Sequence, residues 1–480
     1  MLPSPQVCER ARQARDPRFD GCFFVGVVTT GIYCRPVCPA RSPAPDNVRF
    51  FPTAAAAREA GYRPCLRCRP EIAAPTPEWN LGSETVVRAL RRIGEGALDE
   101  MSVGALADEM GLSRRQLQRL CVEHLGATPL GLAQTRRLHL AKRLIDDTRL
   151  GFSEIALIAG YGSIRRFNDA IKLAYQRSPR ELRRERARSA GNGHRESVAL
   201  RLNYRAPYAI DWLMEFFGRR AIPGLERVDA DGFERTFEHE GQAGRVRVSF
   251  DASSDGILVE IAHPHPRALG VALERVRRMF DLATDSTVVD GHLAGDPLLK
   301  PVIEAFPGLR VPGSWDGFEL AVRAVIGQQV SVKGAVTVAQ RLVERFGARH
   351  DEGVGFPTPD ALLEAEPRAF AMPAKRVQAI KALCERVLAG ELHFDGSMST
   401  DALRNALMSV PGIGPWTAGY VAMRALSDPD AMPTADLVLM RAAGVDKASQ
   451  LDARAEDWRP WRAYAVMYLW KKAGLGAPKT

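Results

Sequence analysis

Hydrophobic and polar residues follow three different patterns along the chain. Between residues 83 and 188 the apolar positions recur with helical spacing, which predicts amphipathic helices. Between residues 244 and 262 apolar and polar residues alternate, which predicts antiparallel strands, and an amphipathic helix is expected around 267–283. From about Asp296 the pattern is helical to the last residue, with short proline and glycine turns. The sequence therefore predicts a mainly helical protein with several domains.

A repeated pattern lies within the first helical segment. LADEMGLSRRQLQRL (106–120) and IALIAGYGSIRRFNDAI (155–171) each contain a glycine turn, a serine and then a basic helix. The turns are made by Gly111 and Gly160, and the second helices can be capped by Ser113 and Ser163. This is the helix-turn-helix pattern. A single glycine-turned helix pair also occurs in ordinary helical hairpins, but the repetition and the basic second helices favour DNA binding.

The two copies, joined by a long helix at about 130–146, resemble the AraC-type DNA-binding domain. The resemblance implies that the first turn of each second helix enters the major groove of promoter DNA. The side chains expected there are Arg114, Arg115, Gln118 and Arg119 from the first copy, and Arg165, Arg166 and Asn168 from the second.

Four cysteines near the N-terminus form two close pairs, Cys34-x3-Cys38 and Cys65-x2-Cys68, separated by 26 residues. Two tight turns that each supply two thiolates are typical of a tetrahedral zinc site, and a purely structural zinc knuckle would explain the spacing alone. The flanking hydroxyls and guanidiniums also fit a phosphate brought up to the sulfur. They belong to Thr29, Thr30, Arg35 and Arg41 beside the first pair and to Arg63 and Arg67 beside the second.

The runs TTGIYCRPVCPAR and GYRPCLRC resemble the N-terminal domain of the Ada adaptive-response family. The resemblance implies one Zn²⁺ held by the four cysteines, irreversible methyl transfer from a methylated DNA phosphate to Cys34, and DNA contacts by Thr30, Arg41 and Arg63. No general base is needed, because zinc keeps the sulfur deprotonated. Four thiolates on one divalent cation carry a charge of about minus two, and methylation leaves about minus one, so repulsion from DNA falls.

The C-terminal stretch VPGIGPWTAGYVAMRAL is followed by MPTADLVLMRAAG. PGIG between two helices predicts a helix-hairpin-helix turn, in which Gly412 and Gly414 allow backbone amides to face a DNA phosphate. Asp436 lies 22 residues beyond Gly414. An aspartate before an apolar run is also a common helix N-cap, so this position has two interpretations.

This hairpin with a downstream aspartate resembles the DNA glycosylase superfamily, and residues 198–480 resemble its AlkA branch, the 3-methyladenine DNA glycosylase II enzymes. The resemblance implies that Asp436 stabilises the positive charge that develops on the sugar and orients water. Relatives that also nick DNA have a lysine where this chain has Trp416, so a monofunctional enzyme is expected. Gln329 falls where the family inserts a side chain into the gap left by a flipped base.

Three aromatic residues, Trp416, Tyr420 and Trp470, resemble the base cleft of that family. Alkylated purines such as 3-methyladenine and 7-methylguanine are cationic, so an electron-rich aromatic cleft favours them over normal bases. Trp470, in an apolar helix, can equally be a core residue. Trp458 and Trp461 are expected in the core.

The net charge of +9 is concentrated in the N-terminal part of the chain. Residues 1–80 hold 11 Lys and Arg against 7 Asp and Glu, and residues 81–190 hold 20 against 13. This excess predicts a polyanionic partner, for which double-stranded DNA is the first candidate. Without a signal sequence or an apolar stretch of membrane-spanning length, the protein is expected in the cytoplasm, associated with the nucleoid and not with a membrane. It is also expected to be a monomer.

The sequence thus predicts a multidomain, mainly α protein with linkers at 73–82 and 189–197. Its expected domains are a small α+β zinc methyl-acceptor domain at 1–75, an all-α double helix-turn-helix domain at 83–188, an α+β subdomain at 198–290 and an all-α helix-hairpin-helix glycosylase domain at 296–480. The expected function is bifunctional. Methylation of Cys34 activates transcription, with RNA polymerase as a partner, and the C-terminal half excises alkylated purines.

Two other functions fit parts of the pattern. The C-terminal half could bind DNA without catalysis, in which case the protein is only a regulator. Alternatively, the basic N-terminal half could serve only to tether a repair enzyme to DNA. No PCHR motif of a second methyltransferase occurs, so repair of O6-methylguanine is not expected.

Overall fold

A computed structural model describes residues 2–75, 83–187, 198–250, 255–433 and 435–476. The predicted linker at 189–197, and the one at 73–82 from residue 76 onward, lie outside these ranges. The chain divides into two compact units. The first unit runs up to Arg205 and includes Val248–Glu274 and Leu282–Thr284, and the second holds Ala206–Arg247, Arg275–Asp281 and the residues from Asp285 onward.

In the part of the chain that the structure describes, the first unit combines α-helices with two groups of strands. Its helices are α1 (Pro5–Ala14), α2 (Ala54–Glu59), α3 (Glu84–Glu95), α4 (Ala97–Glu100), α5 (Val103–Glu109), α6 (Arg114–Leu125), α7 (Pro129–Asp147), α8 (Phe152–Ile158), α9 (Ile164–Tyr175) and α10 (Pro179–Ala187). Its strands are β1 (Phe24–Val27), β2 (Ile32–Cys34), β3 (Val48–Phe51), β4 (Arg63–Pro64), β5 (Val198–Asn203) and β9 (Gly256–Ala262).

The second unit is mostly helical. Its strands are β6 (Glu226–Asp229), β7 (Gly232–His239), β10 (Arg349–His350) and β11 (Gly353–Val354), while β8 (Gln242–Phe250) and α12 (Ala268–Met279) contribute residues to both units. Its helices are α11 (Ile210–Gly218), α13 (Ser286–Leu293), α14 (Lys300–Ala305), α15 (Gly317–Ile326), α16 (Val332–Phe346), α17 (Pro359–Glu364), α18 (Ala374–Leu388), α19 (Thr400–Met408), α20 (Pro415–Ala425), α21 (Leu437–Ala443), α22 (Ala448–Ala455) and α23 (Arg462–Gly476).

A four-stranded sheet with the order β3-β1-β2-β4 brings the cysteine pairs together. Strands β1 and β2 form an antiparallel hairpin in which Val25 pairs with Cys34. Strand β4 runs parallel to β2, with Pro64 opposite Tyr33. Cys34 and Cys65, which directly follow these partners, therefore lie at the same end of the two strands.

The two helix-turn-helix copies form as the sequence predicts. Gly111 has φ of +71° and Gly160 has φ of +85°, a conformation that glycine adopts without strain. Ser113 caps α6 in a capping box with Gln116, and Ser163 caps α9. The predicted linking helix is α7. It is longer than expected by one residue at each end, and Thr128 supplies its N-cap.

Helix α7 also packs against the zinc-domain part of the first unit. The backbone N–H and hydroxyl of Thr128 donate to the Glu59 carboxylate, at 3.1 Å and 2.5 Å. At the middle of the helix, the Tyr33 hydroxyl lies 2.9 Å from His139 Nε2. At the other end, the Arg69 guanidinium donates to Asp147 at 3.0 Å. These contacts join the two ends and the middle of α7 to α2, to strand β2 and to the segment after Cys68.

The core of the second unit is built around α15, α18, α19 and α20. The buried side chains Ala321, Val325, Leu383 and Val421 belong to it. Among the described residues, the helical run predicted from Asp296 is interrupted by the short antiparallel pair β10–β11, which the sequence pattern does not indicate. Trp458 and Trp461 are buried core residues, as expected.

Candidate functional site

The four cysteine sulfurs lie within 4.8 Å of one another. Ligands at zinc–sulfur distances of about 2.3 Å in a tetrahedron stand about 3.8 Å apart, so the cluster fits one four-coordinate zinc ion. Cys65 and Cys68 are buried, whereas Cys34 and Cys38 are half-buried. The donor set contains four thiolates and no neutral ligand, which zinc accepts and harder cations such as Mg²⁺ do not. The chain therefore has the ligands for one Zn²⁺.

Arg35 braces this cluster. Its backbone N–H donates to Cys68 Sγ at 3.3 Å, and its guanidinium donates to the Cys68 carbonyl at 3.1 Å. The same guanidinium makes a buried bidentate ion pair with Asp20. Burial would lower the pKa of Arg35, but the pair with Asp20 outweighs it and the pKa is raised. Arg35 is thus a structural support for a ligand rather than a free cation.

A small cavity of about 200 Å³ opens beside the cluster. Cys34, Cys38 and Cys65 line it together with Thr30 and Arg41. Of the expected DNA contacts, Thr30 and Arg41 thus share a cavity with Cys34, while the half-buried Arg63 at the start of β4 does not line it. Arg12 from α1, which carries no motif in the sequence, also lines the cavity.

All the residues expected to read promoter DNA are exposed on the second helices of the two copies. Helix α6 presents Arg114, Arg115, Gln118 and Arg119, and helix α9 presents Arg165, Arg166 and Asn168. On each helix the position facing inward is apolar: Leu117 on α6 and Phe167 on α9 are fully buried. One face of each helix is therefore fixed in the core while the basic face is free to enter a groove.

A larger cavity of about 710 Å³ lies in the second unit. Trp416, Tyr420 and Trp470 line it, together with Asp436. Trp416 and Tyr420 lie one turn apart on α20 and stack with their ring centroids 5.3 Å apart and an interplanar angle of 7°. The Trp470 ring is 6.3 Å from Tyr420 and half-buried, so this residue belongs to the cavity wall rather than to the core interior.

The two carboxylate oxygens of Asp436 have different hydrogen-bond partners. Its Oδ1 caps helix α21 by accepting from the N–H groups of Val438 and Leu439, at 2.8 Å and 3.0 Å. Its Oδ2 accepts from the indole N–H of Trp416 at 2.9 Å. Asp436 as a residue has a relative exposure of 7%, and it lines the cavity. The N-cap interpretation and the cavity interpretation are therefore both compatible with its geometry.

Several polar residues of this cavity belong to no motif in the sequence. Arg424 donates to the Tyr420 hydroxyl at 2.5 Å and to the carbonyls of Pro312 and Gly313. The Arg220 guanidinium lies 3.7 Å from the Phe216 ring centroid. Burial would raise the pKa of Tyr420, but Arg424 and Arg220 outweigh burial and lower it. Only the spacing of Arg424, four residues after Tyr420 on one helix, could have pointed to this contact.

The helix-hairpin-helix turn joins α19 to α20. Gly412 has φ of +89°, and both Gly412 and Gly414 are exposed while Ile413 between them is buried. The Gln328 side chain donates to the Gly412 carbonyl at 2.9 Å. The next residue, Gln329, is exposed and has φ of +55°, an uncommon conformation for a residue with a side chain. Gln329 is thus presented close to the hairpin.

No helix within the described residues is long and apolar enough to cross a membrane.

Comparisons with known proteins match four families in succession. Residues 7–71 match the metal binding domain of Ada, 106–185 a helix-turn-helix domain, 199–316 the AlkA N-terminal domain and 322–457 the HhH-GPD superfamily base excision DNA repair protein. A protein of Mycobacterium tuberculosis named "Probable bifunctional transcriptional activator/DNA repair enzyme AlkA" is 41% identical over 474 residues, which cover 96% of this chain and 95% of that protein. The chain therefore belongs to the family of this bifunctional transcriptional activator/DNA repair enzyme AlkA.

Two further relatives cover its C-terminal part. The DNA-3-methyladenine glycosylase 2 of Escherichia coli is 32% identical over 280 residues, 57% of this chain and 97% of that enzyme. The solved structure of a 3-methyladenine DNA-glycosylase from Archaeoglobus fulgidus superposes with a TM-score of 0.50 at 23% identity, covering 57% of this chain and 98% of that one, which shows a shared fold. The expected domain families, the mainly helical fold class and the zinc-binding domain are confirmed.

Proposed function

We propose that this member of the bifunctional AlkA family senses methylated DNA phosphates through Cys34, activates transcription in response, and excises alkylated purines with its C-terminal half. The proposal is supported by two candidate sites, the four-cysteine cluster in the first unit and the cavity lined by Asp436 in the second. The domains have the boundaries 1–75, 83–188, 198–290 and 296–480.

Methyl transfer takes place at Cys34. When bound, zinc supplies a stable thiolate at neutral pH. The chain itself exposes Cys34 and Cys38 more than the other two ligands, and it surrounds Cys34 with the cavity that Thr30 and Arg41 line. Thr30 and Arg41 bind the DNA backbone around the methylated phosphate, and Arg63 contributes from the neighbouring strand. The reaction consumes Cys34, so it occurs once per molecule.

The methylated form binds promoter DNA through α6 and α9. Their contacts with base edges and phosphates come from Arg114, Arg115, Gln118, Arg165 and Arg166. Loss of one negative charge at the cysteine cluster lowers repulsion from the DNA backbone, and the higher affinity places the protein, as a monomer, next to RNA polymerase. It does this in the cytoplasm at the nucleoid.

Excision takes place in the aromatic cavity. A flipped cationic purine stacks against Trp416, Tyr420 and Trp470, and Gln329 fills the gap left in the duplex. The backbone amides around Gly412 and Gly414 hold the strand by a phosphate. Asp436 stabilises the positive charge on the sugar while water attacks, which leaves an abasic site without nicking because Trp416 stands in the place of a lysine.

The substitution Asp436→Asn tests excision sharply, since asparagine is as good an N-cap as aspartate but carries no charge. We expect the variant to remain folded, with some loss of thermal stability because its amide NH2 replaces the oxygen that accepts from Trp416. It should lose about 100-fold or more in the rate of base release from methylated duplex DNA. The measurement is the appearance of free 3-methyladenine, with strand nicking followed in the same samples. Equal release by both proteins would exclude Asp436 from catalysis. No release by either would make the C-terminal half a binding module.

A further inference from the structure

A buried arginine shares the small cavity with Cys34. Arg12 lies on α1, is 5% exposed and lines the cavity beside Thr30, Cys34 and Arg41. Apolar side chains from β1 and β2, such as Val25 and Ile32, form other parts of the wall. An arginine buried in a mainly apolar wall is costly unless its hydrogen-bonding groups are used. The hydrogen bonds of the Arg12 guanidinium therefore indicate its role.

One carboxylate fixes one edge of this guanidinium. Glu9, one helical turn earlier, accepts from Arg12 Nε at 2.9 Å and from Nη2 at 2.5 Å. The hydrogen bond from Arg12 lowers the pKa of Glu9, so the carboxylate is ionised at neutral pH. The remaining nitrogen, Arg12 Nη1, is buried and has no hydrogen-bond partner among the described residues. A buried donor without an acceptor destabilises the protein, and a ligand oxygen that accepts from it would remove this cost.

The reaction at Cys34 produces such an oxygen. A methyl phosphotriester is neutral. During transfer the S–C bond forms, the C–O bond breaks, and the phosphate oxygen keeps the electron pair and leaves as part of a phosphodiester anion. A cation fixed beside this oxygen stabilises the transition state more than the neutral substrate, which accelerates the reaction.

The other guanidiniums near the cluster are less suited to this role. Arg35 also lines the cavity, but Asp20 and the Cys68 carbonyl occupy its donors. Arg41 is exposed, so water screens its charge. Arg12 combines burial, a fixed orientation and a free N–H.

We infer that Arg12 is a catalytic residue of methyl transfer, donating from Nη1 to the phosphate oxygen that leaves as Cys34 is methylated, with Glu9 as the positioning residue that orients it. This inference rests on the proposed methyl transfer. It adds a leaving-group cation that no sequence motif marks. It also accounts for a buried ion pair whose third nitrogen is unused in the free protein.

The test measures methyl transfer to Cys34 in the full-length, zinc-loaded protein, with duplex DNA carrying one methyl phosphotriester as the substrate. Arg12→Met is compared with Arg10→Met, which removes an exposed arginine from the same helix. Single-turnover rates over a range of DNA concentrations give the maximal rate and the half-saturating concentration. We expect Arg12→Met to lower the maximal rate about 100-fold with little change in half-saturation, because the substrate is neutral and only the product is charged. Arg10→Met should have the wild-type maximal rate.

Chemical rescue separates a catalytic role from a structural one. Added guanidinium ion at millimolar concentration should restore part of the rate of Arg12→Ala and leave the wild-type rate unchanged. Zinc content and thermal unfolding are measured for each variant. Should Arg12→Met lose zinc, Arg12→Lys replaces it in the comparison, and we expect a smaller loss because the lysine keeps the charge but not the bidentate pair.

The outcomes are distinct. A wild-type maximal rate in a folded, zinc-loaded Arg12→Met or Arg12→Lys variant would overturn the role of Arg12 while leaving the proposed function intact. Loss of rate without rescue in Arg12→Ala would also overturn it and make Arg12 a structural residue. Absence of Cys34 methylation in the wild type would instead refute the proposed methyl transfer on which the inference depends.

Discussion

At the scale of single residues, the two carboxylate oxygens of Asp436 have separate partners, so one position can combine helix capping with the catalytic role proposed for it. Oδ1 is committed to the N-terminus of α21, and Oδ2 faces the indole of Trp416. Two backbone amides and one indole hold the carboxylate in a fixed orientation in a largely buried site. Such preorganisation lets a charge act on a developing cation without reorganising at the moment of reaction.

Trp416→Phe tests this arrangement. The variant keeps an aromatic ring for stacking but removes the N–H that donates to Asp436, so the carboxylate loses one of its three donors. A hydrogen bond to a charged group contributes about 1.5–3 kcal/mol, and we expect the single-turnover rate of base release to fall by about tenfold or more. The rate is measured on methylated duplex DNA at saturating enzyme.

Trp458 provides a matched control for that experiment. Its indole N–H donates to Asp296 Oδ2 at 2.7 Å, a pair of the same kind that does not line the cavity. Trp458→Phe should lower thermal stability but leave base release unchanged. If both substitutions reduced excision equally, the effect would be one of folding, and the Trp416 contact would have no special role.

At the scale of elements, helix α7 is coupled to the sheet that carries the cysteines. The residue before Cys34 is Tyr33, which contacts His139, and the residue after Cys68 is Arg69, which pairs with Asp147. Each of these contacts lies next to a metal ligand in sequence. Displacement of the cysteine turns therefore moves side chains that contact the long helix between the two helix-turn-helix copies.

Removal of the metal tests this coupling. Without zinc, four thiols lose the ion that holds the turns together, and we expect Tyr33 and Arg69 to lose their contacts with α7. Amide hydrogen exchange in residues 129–147 should then become faster after chelation. Helix α15, in the second unit, is the internal control and should exchange as before. Unchanged protection of α7 in the chelated protein would show that the helix is stable without the sheet.

The same elements show which features of the fold and the site can be predicted from the sequence. Cysteine spacing predicts the metal cluster because ligand type and tight turns are local properties, and the caps at Ser113 and Ser163 are local for the same reason. Arg12 could not be predicted, because its place in a cavity wall depends on residues distant in sequence, and for Arg424 only the contact with Tyr420 four residues earlier has a local signal. For Asp436 the pattern offers a cap or a catalytic group, and it cannot indicate that the two carboxylate oxygens have separate partners.

At the scale of the whole molecule, two reaction centres belong to one chain and act on two products of the same damage. The methyl phosphotriester reports that DNA has been alkylated, and the alkylated base is the lesion removed. In the proposed function the two reactions differ accordingly, since Cys34 is consumed in one transfer whereas Asp436 is unchanged after each hydrolysis. A small amount of protein can therefore both report damage and repair many sites.

The most direct test of this account measures methyl transfer and base release in one sample. Methylated duplex DNA is incubated with the wild type, Cys34→Ser or Asp436→Asn, and the methyl group on Cys34 is determined by mass spectrometry while free 3-methyladenine is quantified. The account predicts that the wild type does both, that Cys34→Ser still releases bases, and that Asp436→Asn still accepts one methyl group at Cys34. A wild type that fails in either reaction, or a single substitution that abolishes both in a folded protein, would contradict it.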